Sequence, residues 1–236
     1  MNGAMRSYLA EFIGTFTLVF IGTAVATLQG MLGYGNDGWL VISCAFGFTL
    51  MILVLVIGPV SGCHINPAVT IPMAMSGRLK GSMAFGYIIS QVLGAIVASA
   101  ILLFLLKGIP EFNLEINGLG ANGNPHKMSI LTLFLWELIL TALFLYTIFA
   151  ATRPDSIPGF AALAIGGFLF IAHLVGAQLG DSSLNPARSI GPALFVRGDA
   201  LKVLWVFIVA PVFGGILGWV LYKLLHDDTG TAGDAD

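Results

Sequence analysis

The chain has 236 residues, of which 57% are hydrophobic and only 9% charged. A soluble domain carries about 25% charged residues, so this sequence cannot clothe a water-facing surface and reads as an all-α membrane protein. The net charge of -2 supplies no basic face for nucleic acid, and Cys44 and Cys63 form neither a disulfide framework nor a metal-ligand spacing. No cleavable signal peptide is read, because the first apolar stretch runs past signal length and carries Glu11.

A hydrocarbon core of about 30 Å needs ~20 apolar residues per helix. Six such stretches occur, at 8–28, 39–58, 82–106, 129–151, 158–178 and 201–225. Their continuous apolar runs exclude a barrel of alternating strands. Residues 107–128 read as a long polar loop, with Asn117-Gly118, Asn122-Gly123 and Asn124-Pro125 as breakers. It divides repeat one, 1–106, from repeat two, 129–225, within one transmembrane domain spanning 1–236. The acidic tail 226–236 reads as disordered.

The two halves echo each other. Ala10-Glu11-Phe12 matches Trp136-Glu137-Leu138, and Gly94 matches Gly214. Three spans per half make the repeat inverted across the membrane plane. With both termini inside, Arg6, Arg78, Lys80, Arg153 and Lys223 face the cytoplasm, against Lys107, Lys127, Arg197 and Lys202 outside.

One phrase occurs in both halves. Residues 64–70 read His-Ile-Asn-Pro-Ala-Val-Thr and residues 183–189 read Ser-Leu-Asn-Pro-Ala-Arg-Ser. Asn is a strong N-cap and Pro suits the first helical position, so Asn66-Pro67-Ala68 and Asn185-Pro186-Ala187 each start a helix. The apolar runs behind them, 67–76 and 186–195, make half-helices of ~15 Å that meet near the midplane. Capping occupies each Asn oxygen and leaves its NH2 free to face a cavity. Two such donors on one water oxygen, with two helix N-termini, favour a neutral hydrogen-bonding molecule and oppose cations and protons.

Arg188, in the first turn of the second half-helix, opposes the helix dipole and is costly in a membrane unless it faces protein or water. It is read as pore-lining. His173, in the fifth span, stands where the first repeat has Val54, and is read as functional. Glu11 and Glu137 fit acceptors for unpaired loop N–H groups at membrane depth, in preference to proton-coupling groups.

These residues resemble the aquaporin family, the major intrinsic proteins, over nearly the whole chain. The resemblance implies six spans with two re-entrant half-helices and a selectivity filter of Phe46, His173, Ser182 and Arg188. It implies rails of backbone carbonyls from Gly62, Cys63, His64 and Ile65, and from Gly180, Asp181, Ser182 and Ser183. Phenylalanine, histidine and arginine together resemble the filter of water-selective members, and Ala193 fits that pattern. Glycerol-conducting members usually have tryptophan and glycine in the filter and aspartate where Ser189 stands. Ile208 departs from a common tryptophan, and Cys63 from a common glycine or alanine. The thiol is a candidate for mercurial sensitivity.

The implied function is a passive water channel in the plasma membrane, with water as permeant, a homotetramer and both termini cytoplasmic. No cofactor, metal or enzymatic activity is implied, and no nucleophile–base pair is read. The alternatives are a glycerol-type facilitator and side permeation by ammonia, hydrogen peroxide or carbon dioxide. A proton-coupled transporter would need a titratable midplane site where asparagines stand. A junction protein would use the long loop for adhesion.

Overall fold

The computed structural model describes residues 2–33, 38–157, 159–180 and 182–226, without the side chains of 177–180. Asp181, Pro158 and the tail beyond His226 lie outside the described residues. The order is α1 (Gly3–Leu32), α2 (Gly38–Ser61), α3 (Pro67–Met75), α4 (Gly81–Leu106), α5 (Leu114–Asn117), α6 (Ile130–Ala151), α7 (Ala161–Gly180), α8 (Pro186–Val196), α9 (Gly198–Val203) and α10 (Val206–His226). No strand occurs among the described residues. Five stretches have the length and hydropathy of a membrane span: α1, α2, α4, α6 and Gly198–His226. The described apolar part of α7, Ala161–Gly176, is shorter.

α1 overruns its apolar segment 8–28 because its ends are capped outside it. The Asn2 side chain accepts from Met5 N, and Gly33, with φ of 68°, closes the other end of α1. The last segment differs from the expected unbroken span 201–225. It is split into α9 and α10, with Leu204 and Trp205 in a turn between them.

The exposed helix faces carry large apolar side chains, and polar side chains gather inside among the apolar core. Ile52, Leu55, Val56, Phe85 and Phe104 are exposed, whereas Glu11, Asn66, Gln91, Glu137, Asn185 and Arg188 are buried. Lipid solvates the first set, and the second must find hydrogen bonds inside the protein.

Packing interleaves the two halves. α1 packs on α2 and α4, and α6 on α7 and α10, while α2 against α7 joins one half to the other. α3 lies against α10 and α4, α8 against α4, α1 and α10, and α3 meets α8. Matching glycines permit close approaches. A Cβ at Gly94 would meet the Phe12 carbonyl oxygen at 2.5 Å, and one at Gly214 would overlap the Leu138 carbonyl oxygen. Phe12 and Leu138 each follow the buried glutamate of their helix, so close packing sets the depth of both carboxylates.

The connection 107–128 is more than a polar loop. Leu119 is fully buried beside Leu102 and Leu106. Gly118 and Gly120, both at φ of 59°, turn the chain on either side of it. An apolar anchor between two left-handed glycines pulls this segment inward, and Asn122 follows it into the interior at 2% exposure.

Candidate functional site: a pore between two half-helices

Asn66 and Asn185 cap α3 and α8. Each has extended backbone, with φ of -162° and -149° respectively. Asn66 Oδ1 accepts from Ala68 N at 2.8 Å, and Asn185 Oδ1 from Ala187 N at 3.0 Å and Arg188 N at 3.3 Å. Pro67 and Pro186 take the first helical positions, and Ala68 and Ala187 are wholly buried.

The amides are not entirely free, as the capping argument supposed. Asn66 Nδ2 donates to Leu184 O at 2.7 Å, and Asn185 Nδ2 donates to Ile65 O at 2.9 Å. Each asparagine thus bonds the residue immediately before the other. One hydrogen of each NH2 ties the loops together, and one is left for the lumen.

Those two carbonyls are aimed by strain. Ile65 and Leu184 have φ of 42° and 56°; positive φ is uncommon outside glycine and an outlier for a β-branched residue. The glutamates hold them there. Glu11 accepts from His64 N at 2.9 Å, Ile65 N at 2.6 Å, Ser61 Oγ at 2.7 Å and Gln91 Nε2 at 2.7 Å. Glu137 accepts from Ser183 N at 2.8 Å and Leu184 N at 3.0 Å. Each strained residue is therefore gripped twice, its N–H by a glutamate of its own half and its carbonyl by an asparagine of the other.

To one side of the asparagines stand Phe46, His173 and Arg188, all buried. The Phe46 and His173 rings are stacked with centroids 4.4 Å apart and planes 18° apart. Arg188 Cζ lies 5.0 Å from the Phe46 ring centroid, within cation–π range. Phe46 is thus a neighbour of both polar groups. His173 Nδ1 is 3.0 Å from Leu169 O. A carbonyl only accepts, so Nδ1 carries the hydrogen, and Nε2 has no hydrogen-bond partner among the described residues.

Three cavities follow one another along this path. The one on the Arg188 side, about 320 Å³, is lined by Gln29, Trp39, Gly120, His173 and Arg188 among others. The central one, about 20 Å³, shares His173 and Arg188 with it and adds Phe46, His64, Asn66 and Asn185. The one on the His64 side, about 210 Å³, shares His64, Leu50 and Phe144 with the central one and adds Gly62, Cys63 and Arg78. A single water needs roughly 10–15 Å³ of such space, so the central cavity has room for about one water at a time.

Among the remaining rail residues, Gly62 and Cys63 take φ of 86° and 53°. The Ser182 carbonyl accepts from Asn122 Nδ2 at 3.3 Å. Gly180 ends α7, and Asp181 lies outside the described residues. The Ile65 carbonyl already serves Asn185, so it offers one lone pair rather than two.

Asn122 is the residue that sequence reasoning missed. Its Oδ1 accepts from Arg188 Nη1 at 2.6 Å and Ser189 Oγ at 2.7 Å. Gly120 O accepts from the same Arg188 nitrogen at 2.8 Å. Asn122-Gly123 carries the signature of a turn, and only the burial of Leu119 brings it to the arginine.

This arrangement of half-helices agrees with comparison to known proteins. Residues 2–222 match the profile of the family described as Major intrinsic protein. The chain belongs to the major intrinsic protein family. It is 42% identical over 228 residues to Aquaporin Z of Bradyrhizobium diazoefficiens, covering 95% of both chains. To Aquaporin Z of Rhodopseudomonas palustris it is 43% identical over 227 residues, covering 94% of both. A solved structure, that of the aquaglyceroporin from Plasmodium falciparum, superposes with a TM-score of 0.86 at 24% identity, over 95% of this chain and 98% of that one. That likeness concerns the fold. Like the family, this chain is an integral membrane protein.

Proposed function

We propose that this protein is a passive, water-selective channel. The observation that carries the proposal is the central cavity of about 20 Å³ joining two larger ones. Its wall presents amide donors from Asn66 and Asn185 and is closed outward by Phe46, His173 and Arg188. A water passing the asparagines accepts from their free N–H groups, so its own hydrogens point away along the pore. It cannot accept a proton there, and the two half-helix N-termini oppose cations.

The same reading assigns the selectivity filter to Phe46, His173, Ser182 and Arg188. It places both termini in the cytoplasm, the protein in the plasma membrane and the assembly as a homotetramer with a pore in each protomer. Catalysis has no part in it: the family's members are channels. The glycerol-facilitator reading is disfavoured because stacked Phe46 and His173 rings fill space that a carbon backbone would need.

The test is stopped-flow light scattering on proteoliposomes under an osmotic gradient of impermeant solute, beside glycerol uptake. Fast water flux of low activation energy with little glycerol entry supports the proposal. Glycerol entry comparable to water flux refutes water selectivity, and shrinkage no faster than in protein-free vesicles refutes the channel.

A further inference from the structure

His64 stands where the central cavity meets the one lined by Gly62 and Cys63, and its ring is held from behind. Nδ1 lies 3.2 Å from Thr70 Oγ1. Nε2 makes no hydrogen bond among the described residues and faces the turn at Gly62, where an added Cβ would meet it at 3.5 Å.

Thr70 Oγ1 has two further contacts, to the Asn66 carbonyl at 3.0 Å and Gln91 Nε2 at 2.9 Å. A hydroxyl has one hydrogen and two lone pairs. The carbonyl only accepts, so it takes the hydrogen. The Gln91 amide nitrogen only donates, so it takes one lone pair. The lone pair that remains faces His64 Nδ1, and satisfying all three contacts requires a hydrogen on that nitrogen. The alternative, with Thr70 donating to a bare Nδ1, forfeits the bond to Asn66.

The orientation of Gln91 follows from the same inventory. Its Nε2 also donates to Glu11 Oε2 at 2.7 Å. Reversing the amide would press its oxygen against a carboxylate oxygen that already accepts from Ile65 N at 2.6 Å. Thr70 and Gln91 are fully buried, so no bulk solvent substitutes for a lost partner.

We infer that the buried chain Glu11–Gln91–Thr70 positions His64 as the Nδ1–H tautomer, so that Nε2 meets the pore as a bare hydrogen-bond acceptor. The inference rests on the water-channel reading and deepens it. A water leaving the asparagines inward has its hydrogens turned away from them, and Nε2 is the side-chain acceptor standing in its path. The opposite tautomer would put an N–H there, a donor facing the hydrogen of an oncoming water. The second half lacks the device: Ser183, Ser189 and Pro211 stand at the places of His64, Thr70 and Gln91. Thr70 and Gln91 are positioning residues; of the three, only His64 touches the permeant.

The test is magic-angle-spinning NMR of the full chain in lipid bilayers with 15N-labelled histidine, the His64 signals being those lost in His64→Gln. The expected spectrum has a protonated Nδ1 and an unprotonated Nε2. Thr70→Val is expected to mix or invert the tautomer and lower water flux about threefold, the scale of one hydrogen bond. Thr70→Ser is expected to restore both. A protonated Nε2 in the unsubstituted protein, or an unchanged His64 signature in Thr70→Val, overturns the inference. The unsubstituted spectrum decides even where Thr70→Val fails to fold. Absence of water flux in the unsubstituted protein would instead refute the channel reading, leaving the tautomer to be read from nitrogen shifts alone.

Discussion

Asn122 and Arg188, 66 residues apart in the chain, are joined by a 2.6 Å hydrogen bond from the guanidinium to the amide oxygen. The arginine projects from the first turn of α8, where its charge opposes the helix dipole. Acceptors from the inter-repeat connection therefore hold it, with Gly120 O at 2.8 Å on the same nitrogen.

Substituting Asn122 tests that hold. Hydrogen bonds to charged groups contribute roughly 1.5–3 kcal/mol, so Asn122→Leu is expected to loosen Arg188 and cut water flux severalfold in stopped-flow assays. Asn122→Asp keeps an acceptor in place but cancels the positive field. Water flux should survive in that variant while a pH gradient across the vesicle decays faster. A gradient as durable as in the unsubstituted protein would remove Arg188 charge from the account of proton exclusion.

The filter assignment predicts a gain of function. Phe46→Trp with His173→Gly removes the imidazole that now stacks at 4.4 Å on Phe46 and opens that side of the aperture. Glycerol uptake by proteoliposomes should rise well above that of the unsubstituted channel, with water flux retained. Unchanged selectivity would show that the narrowest point lies elsewhere.

Glu11 and Glu137 predict a stability effect. Glu11→Gln replaces a charged acceptor of four donors with a neutral one and places NH2 hydrogens against backbone N–H groups. Losing charge-assisted bonds to the strained Ile65 segment is expected to cost about 3 kcal/mol or more, read as a lower thermal midpoint in detergent. Glu137→Gln should act in the same direction through Ser183 and Leu184. Full thermal stability with altered proton flux would favour proton coupling over anchoring.

Cys63 lines the cavity on the His64 side, whereas Cys44 is half-buried in α2. A small mercurial that enters the pore should therefore inhibit water flux. Cys63→Ser should abolish the inhibition and Cys44→Ser should leave it intact. Block persisting in Cys63→Ser would move the target elsewhere.

Much of this was legible in the sequence because the decisive signals are local. Asn-Pro-Ala is a helix start wherever it occurs, and the length of each run behind it set α3 and α8 within a residue at their far ends. The long helices follow from hydropathy, except for the break at Leu204 and Trp205 in the last segment. What escaped depends on distant contacts. The amides of Asn66 and Asn185 looked free because the carbonyls that bind them are more than a hundred residues away. Asn122 looked like a turn because its burial is decided by Leu119 settling against α4. Gln91 and Thr70 looked like ordinary polar residues on two different helices, and only packing brings both to His64.

The reciprocal ties between Asn66 and Leu184 and between Asn185 and Ile65 also bear on how the chain is made. Synthesis delivers the first repeat before the second exists. Until α8 docks, the Ile65 carbonyl lacks the Asn185 amide that pairs it in the finished fold, and an unpaired carbonyl at membrane depth costs several kcal/mol in hydrocarbon. Neither loop is finished business for its own half. The conducting path belongs to the joint between them, so two halves expressed as separate polypeptides should form it only in each other's company.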